Sequence, residues 1–238
     1  MAHQDISEFK LIVTGFPGCG KRSWLQLFHE AQSGVEIAPG EELQPFGVCV
    51  YPITFQTTMG PIRFKCWVPS QSEPDNGFYE DHENMLQTMT LPDTFYLNGN
   101  AAVIFFDVTV RMSYKQTPNY FRDIIRVCDD VPVVLIGNKN DAFTERKIKP
   151  KMIMFHRRKN LHYVDMSTRT QHNVLLPFLH IIRKLSNIPD LELSSKPVMV
   201  SPEIDKETDE RMKKDYEDLE RDLFCTQALV LPEDDEDF

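Results

Sequence analysis

The residues with the clearest chemical potential form a loop near the start of the chain. Residues 15–23 read Gly-Phe-Pro-Gly-Cys-Gly-Lys-Arg-Ser and fit the phosphate-binding pattern GxxxxGK[ST] at every defined position except the last. Glycines in this pattern let backbone N–H groups turn towards phosphate oxygens, and the lysine neutralises phosphate charge. The hydroxyl that normally binds Mg²⁺ is replaced by Arg22. The sequence therefore predicts a phosphate site without its usual metal ligand, formed by Gly15, Phe16, Pro17, Gly18, Cys19, Gly20, Lys21 and Arg22.

A second group of polar residues points to recognition of a guanine base. Asn138-Lys139-Asn140-Asp141 fits the pattern NKxD. The carboxylate of Asp141 can accept two parallel hydrogen bonds from the N1–H and 2-amino groups of guanine, which adenine does not offer. We expect Asn138 to tie the strands of the site together and the stem of Lys139 to cover the base. Further along, Ser167-Thr168-Arg169 is similar to the loop that presents a backbone N–H to guanine O6.

The elements around these motifs have the order that a phosphate site requires. An apolar run at residues 9–13 precedes the glycine loop, and residues 23–28 follow it with helical character. Residues 101–106 and 131–136 are continuous apolar runs, which are typical of strands covered on both faces of a parallel sheet. Two β-rich runs, 48–57 and 62–68, are joined by a turn signal. With a short strand at residues 163–164, this order predicts an α/β fold: a mostly parallel six-stranded sheet with helices on both faces.

Charge is distributed very unevenly along the chain. The net charge is −10, and residues 202–238 carry 15 acidic and five basic side chains, whereas residues 1–201 carry 21 of each. Met212, Tyr216, Leu219 and Leu223 form an apolar stripe at helical spacing in this acidic part. We predict a nucleotide-binding domain at residues 1–193 and, at residues 194–238, a linker, an amphipathic acidic helix and an acidic tail. The acidic excess argues against binding to nucleic acid.

Several longer segments are similar to those of one family of small GTPases. These are residues 60–64 (GPIRF), 106–109 (FDVT), 131–135 (VPVVL), 155–161 (FHRRKNL) and the terminal acidic run. Together with the phosphate loop and NKxD, they make the chain resemble the Ran family of the Ras superfamily over nearly its whole length. The resemblance implies a P-loop GTPase fold (G domain) that binds GTP and GDP. It also implies importin-β-type transport receptors and Ran-binding domains as partners, a role in nucleocytoplasmic transport, and location in nucleus and cytoplasm.

The same resemblance assigns a role to a basic segment. In the family a matching patch receives the acidic tail, and here Arg157, Arg158 and Lys159 stand at that position. An ordinary solvated charged surface is the alternative for this run. No long apolar run or secretion signal is present, so we expect no membrane span, and we expect a monomer. The five cysteines are scattered, which favours reduced thiols over disulfides or a zinc site.

Departures from the family pattern cluster on metal binding and hydrolysis. Pro45 stands in switch I, about residues 33–47, where the family has a magnesium-binding threonine. In an enlarged switch II, about residues 68–98, Val68 replaces the aspartate that orients the metal, Gln71 replaces a glycine, and Ser72 replaces the glutamine that positions water. Because phosphoryl transfer depends on these groups, we expect weak or absent GTP hydrolysis. Gln71 is the remaining candidate for a displaced catalytic glutamine.

Three functions and three roles for Arg22 remain open at this point. The chain is a nucleotide-binding Ran-like protein with little turnover, a nucleotide-free pseudoGTPase that competes for the partners of Ran, or an active GTPase with a rearranged switch II. Arg22 replaces the charge of the metal with a fixed guanidinium, blocks the site, or points into solvent. In the first case nucleotide binding depends weakly on Mg²⁺ or is independent of it.

Overall fold

The computed structural model describes residues 7–33, 43–44, 47–69, 91–194 and 206–227. Within these ranges seven strands form one sheet in the order β2-β3-β4-β1-β5-β6-β7. The strands are β1 (Ser7–Gly15), β2 (Leu43–Gln44), β3 (Val48–Thr57), β4 (Gly60–Pro69), β5 (Ala101–Asp107), β6 (Val133–Asn138) and β7 (His162–Asp165). The predicted six-stranded sheet is confirmed, and the two-residue strand β2 extends its edge.

Strand β1 lies in the middle of the sheet and pairs in parallel with β4 on one side and β5 on the other. Strands β6 and β7 continue the sheet in parallel, while β3 and β4 form the predicted antiparallel hairpin. The carboxyl ends of β1, β5, β6 and β7 therefore meet at one edge. In open parallel sheets this edge is where ligands bind.

Helices cover both faces of the sheet, as predicted. Within the described residues they are α1 (Lys21–Ser33), α2 (Asp93–Tyr96), α3 (Arg111–Lys115), α4 (Thr117–Cys128), α5 (Phe155–Arg158), α6 (Leu176–Ser186) and α7 (Lys206–Gln227), with 3₁₀ turns at Phe143–Glu145 and Pro150–Met152. In β1, Leu11 and Val13 join the core under α1 and α6, while Ile12 joins the core under α2 and α4. Both faces are buried, which explains the continuous apolar runs in the sequence.

Aromatic packing fixes the helix that follows the glycine loop. The Trp24 ring of α1 stacks on Phe178 of α6 at a centroid distance of 4.5 Å, and its indole N–H donates to the carbonyl of Val174 at 2.8 Å. Phe28 meets the same Phe178 ring edge-on at 5.0 Å. Because such aromatic contacts add to the burial of large side chains, they hold α1 firmly against the sheet.

Some sequence predictions concern residues outside the described ranges. These are Pro45 in switch I, Gln71 and Ser72 in switch II, the linker residues 195–205 and the acidic tail after residue 227. Val68 is described, and its side chain is fully buried near the end of β4. In α7, Tyr216 and Leu219 of the apolar stripe are buried. No helix in the described part of the chain combines the length and apolar character needed to cross a membrane.

The basic segment on α5 is only partly a solvated surface. His156 is 8% exposed and its ring lies 5.1 Å from that of Tyr163, whereas Arg158 and Lys159 are exposed. Burial lowers the pKa of His156 to about 4, and the nearby positive charge of Arg157 adds to the effect. Folding therefore keeps this imidazole neutral at a pH where the unfolded chain would protonate it.

We predict that His156 makes the protein less stable as the pH falls. At pH values between the unfolded pKa of His156, near 6.5, and its folded pKa of about 4, the imidazole is protonated in the unfolded chain and neutral in the folded chain. From pH 7 to pH 5 the wild type should therefore lose about 1–2 kcal/mol more stability than His156→Phe, which keeps an aromatic ring. Urea unfolding at the two pH values measures the difference. Equal losses in the two proteins would contradict the prediction.

Candidate nucleotide-binding site

Three loops meet at the carboxyl edge of the sheet and bring the sequence-predicted site residues together. They follow β1, β6 and β7 and carry the glycine loop, the NKxD motif and residues 167–169, respectively. The parallel strand order places these loops side by side, although up to 119 positions separate the residues that touch. The sheet topology therefore assembles the site.

Two glycines of the first loop are required by its conformation. Gly15 has a φ of +129°, and a Cβ there would overlap the backbone of Phe105 on β5. Gly20 has a φ of +87°, and a Cβ there would overlap the side-chain amide of Asn138. Residues that carry a Cβ rarely adopt these φ values. Glycine therefore allows both the turn and the close approach of the loop to β5 and β6.

The loop is held in shape by Lys21 and Cys19. The Lys21 ammonium donates to the carbonyls of Gly15 at 2.9 Å and Phe16 at 2.7 Å, so it lies across the mouth of the loop. The Cys19 thiol is buried and donates to the Phe16 carbonyl at 2.6 Å. Burial raises the pKa of this thiol, opposed by the nearby Lys21 charge, so the thiol stays protonated. Helix α1 begins at Lys21, which places the positive end of its dipole at the loop.

Asn138 connects all three loops through one buried carboxamide. Its Nδ2 donates to the carbonyl of Cys19 at 2.8 Å. Its Oδ1 accepts from the backbone N–H of Thr168 at 3.0 Å and from the Thr168 hydroxyl at 3.2 Å. The structure thus places Asn138 where the sequence analysis expected it, as the link between the parts of the site.

The predicted base-selecting carboxylate is oriented by a neighbouring loop. The Ser167 hydroxyl donates to Asp141 Oδ1 at 2.7 Å and itself accepts from the backbone N–H of Thr170 at 3.1 Å. Lys139, at a φ of +66°, forms an ion pair with Asp107 at 2.7 Å, so its side chain runs along the site. Arg169 is exposed. Asp141, Ser167 and Thr168 therefore form a connected group, and Lys139 borders it.

A buried ion pair beneath these loops was not found from the sequence. Arg146 lies 2.8 Å from the carboxylate of Asp165, and the two side chains are 7% and 4% exposed. The Tyr163 hydroxyl donates to the same carboxylate at 2.9 Å. Burial raises the pKa of Asp165, and Arg146 opposes the rise. The pair joins the segment after NKxD to the end of β7. In the sequence, the one indication of this pair is the acidic residue at the end of a short strand.

At two of the predicted magnesium positions, the described side chains offer no ligand for a magnesium ion. The Arg22 guanidinium points towards the ends of β3 and β4, where it donates to the carbonyl of Pro69 at 3.4 Å and lies 4.0 Å from Cys49 Sγ. The interpretation that Arg22 points into solvent is therefore wrong. Val68 presents a buried aliphatic side chain where the family has a carboxylate. Mg²⁺ requires oxygen ligands, and neither side chain supplies one.

Comparison with known proteins supports the fold. Residues 87–187, from the segment before α2 to the end of α6, match the sequence model of the Ras family. Together with the sheet order, this match makes the fold that of a Ras-family G domain. Ras-family GTPases bind GTP and GDP. The matched range includes Asn138, Asp141 and Ser167 but begins after the glycine loop, so the phosphate side rests on its own sequence and geometry.

We predict that Asn138→Ala destabilises the protein by about 2–4 kcal/mol. The substitution leaves the Cys19 carbonyl and the Thr168 N–H without their partner in a buried place, and each unsatisfied group costs roughly 1–3 kcal/mol. Asn119→Ala on the surface of α4 is the matched control, because its amide hydrogen-bonds the neighbouring side chains of Gln116 and Arg122. Urea unfolding measures both. Similar small losses in the two variants would exclude the bridging role.

Proposed function

We propose that this chain is a Ran-like guanine-nucleotide-binding protein with weak or absent GTP hydrolysis, acting in nucleocytoplasmic transport. The observation that carries the binding part is the connected network from Cys19 through Asn138 to Thr168, beside the Ser167–Asp141 pair. This network consists of hydrogen bonds among the protein's own groups. A site whose loops are already aligned loses little free energy to ordering when a nucleotide binds.

The base and the phosphates of a guanine nucleotide each have a matching group in the site. Asp141 accepts hydrogen bonds from the N1–H and 2-amino groups of guanine, and this acceptor pattern rejects adenine. The Lys21 ammonium and the N-terminus of α1 attract the phosphates. Arg22 lies in the first turn of α1 beside Lys21, and on this proposal its guanidinium leaves the Pro69 carbonyl and binds a phosphate oxygen with two N–H groups.

Hydrolysis is the activity that the site supports least. Two of the positions that would serve a metal hold Arg22 and the buried Val68. Without a metal to neutralise the developing charge or a group to align the attacking water, phosphoryl transfer loses its main sources of rate acceleration. The same two residues favour the nucleotide-free pseudoGTPase as the second candidate. Phosphate release above background, abolished by Gln71→Leu, would instead identify an active GTPase with a rearranged switch II.

We predict that guanine nucleotide binds equally well with and without Mg²⁺. Because Arg22 supplies a fixed positive charge, the dissociation constant of a fluorescent GDP should change less than about twofold on adding EDTA. Arg22→Thr removes that charge and introduces a hydroxyl, so its affinity in EDTA should fall by about tenfold or more, since a charge-assisted hydrogen bond contributes roughly 1.5–3 kcal/mol. Fluorescence titration measures both.

Arg122→Thr, on the exposed surface of α4, is the control for the loss of one positive charge. Collapse of wild-type binding in EDTA would refute the replacement of the metal by Arg22. Purified protein that contains no guanine nucleotide and binds none in titration would favour the pseudoGTPase. Stronger binding by Arg22→Thr in both conditions would identify Arg22 as a side chain that blocks the site.

The transport role rests on the resemblance to the Ran family and on charge. Arg158, the last residue of α5, and Lys159, which follows it, are exposed, and Arg157 is half-buried beside them. The sequence ends in an acidic run at residues 233–237. On this proposal the tail moves between the basic patch and a partner surface, with importin-β-type receptors and Ran-binding domains as partners in nucleus and cytoplasm. The protein acts as a monomer.

We predict that deletion of residues 233–238 changes the affinity for an importin-β-type receptor or a Ran-binding domain by about threefold or more. The contact is electrostatic, so the effect should shrink between 50 and 300 mM salt. Charge reversal of the exposed pair, Arg158→Glu with Lys159→Glu, should reproduce the deletion if the patch holds the tail. Titration by fluorescence anisotropy gives the affinities. Unchanged affinity at both salt concentrations would rule out the tail's role.

A further inference from the structure

The C-terminal helix α7 lies against both loops that carry the guanine-side residues. Its Tyr216 ring stacks on the His172 ring at a centroid distance of 3.7 Å with an interplanar angle of 3°. The same Tyr216 ring meets Phe143 edge-on at 5.2 Å. Phe143 begins the 3₁₀ turn after the NKxD motif, and His172 follows residues 167–169. One aromatic side chain therefore packs between the two loops.

The backbone of His172 is fixed to the base-recognition loop. The N–H of Ser167 donates to the carbonyl of His172 at 3.1 Å, so the ring on which Tyr216 stacks belongs to the turn that presents Ser167. Glu220, one turn further along α7, lies 3.8 Å from the His172 ring nitrogen. Tyr216 and Leu219 are 8% and 9% exposed, so this face of α7 is packed against the domain.

The Tyr216 hydroxyl continues this contact as a chain of hydrogen bonds. It lies 2.6 Å from the Thr170 hydroxyl, and the Thr170 N–H donates to Ser167 Oγ at 3.1 Å. Ser167 in turn donates to Asp141 Oδ1 at 2.7 Å. Burial raises the pKa of Tyr216 to about 12, so the phenol remains protonated and neutral. The two bonds at the Ser167 hydroxyl strengthen each other, and Thr170 connects them to Tyr216 through its own covalent structure.

We propose that Tyr216 is a positioning residue for base recognition, through which α7 holds Ser167 and Asp141 in the geometry that accepts a guanine base. The inference deepens the proposed function and rests on it. Asp141 alone has a rotatable carboxylate. Because Ser167 holds one oxygen of that carboxylate and Thr170 holds Ser167, a fixed Thr170 sets the direction of the acceptor pair. Tyr216 fixes Thr170 from α7.

The test separates base contacts from phosphate contacts. Tyr216→Phe removes the hydroxyl and keeps the stacked ring, and Thr170→Val removes its partner. Each should raise the dissociation constant of GDP by about three- to tenfold, as expected for one hydrogen bond, and the double variant should show little more than one single variant. The dissociation constant of pyrophosphate should not change. Phe224→Ala, 72% exposed on the same helix, is the matched control.

A second measurement follows the loop directly. In the full-length chain without nucleotide, Tyr216→Ala should increase amide hydrogen exchange at residues 167–170, whereas Phe224→Ala should not. Unchanged GDP affinity in Tyr216→Phe and Thr170→Val, with wild-type binding intact, would overturn the positioning role alone. Tighter GDP binding in these variants would show that α7 competes with the base and would also overturn it. A wild type that binds pyrophosphate but not GDP would overturn the proposed function and this inference together.

Discussion

The side chain of Asn138 is the contact on which the rest of the site depends. Position 138 must present a hydrogen-bond donor to the Cys19 carbonyl and an acceptor to the Thr168 N–H, both from the end of one short side chain. A carboxamide supplies both groups, whereas a carboxylate supplies no donor. A Cβ at residue 20 would overlap the amide nitrogen of Asn138, so Gly20 is required by the Asn138 side chain as well as by its own φ angle. These features fix the phosphate loop, the NKxD loop and the Thr168 loop as one body.

A buried ion pair gives these three loops a second support. Arg146 and Asp165 are both almost fully buried, so the Asp165 carboxylate depends on Arg146 to remain charged, and the permanently charged guanidinium depends on Asp165 to offset its desolvation. Removing one partner of such a pair costs more than the pair itself contributes, which makes the joined segments hard to separate. The segments joined are the one after Asp141 and the one before Ser167. The base-recognition side is therefore supported from below by an ion pair and from outside by the aromatic ring of Tyr216.

Much of the fold was predictable because its signals are local. Continuous apolar runs identified β5 and β6, and the spacing of glycines and lysine identified the loop before α1. The direction of Arg22 was not predictable, since it depends on where the end of β4 lies relative to α1. The buried position of His156 within a charged run and the docking of Tyr216 also depend on long-range packing. A charged or amphipathic pattern indicates that a segment has a solvent-exposed face, but it does not identify the part of the protein that packs against the opposite face.

The substitutions on the metal side are consistent with one another when charge is counted. In the family pattern, Mg²⁺ and the aspartate at the position of Val68 together bring one net positive charge to the phosphates, and the hydroxyl at the position of Arg22 brings none. Here Arg22 brings one positive charge and the buried Val68 brings none. A carboxylate at position 68 without its metal would be a buried unpaired charge, which is strongly destabilising. On the proposed function, loss of the metal favours loss of the carboxylate, and the guanidinium restores the charge. On the proposed function, the phosphates meet the same net positive charge as in the family pattern. Here that charge belongs to a covalently attached guanidinium, which cannot dissociate as a metal ion does and does not hold a water molecule in line for attack.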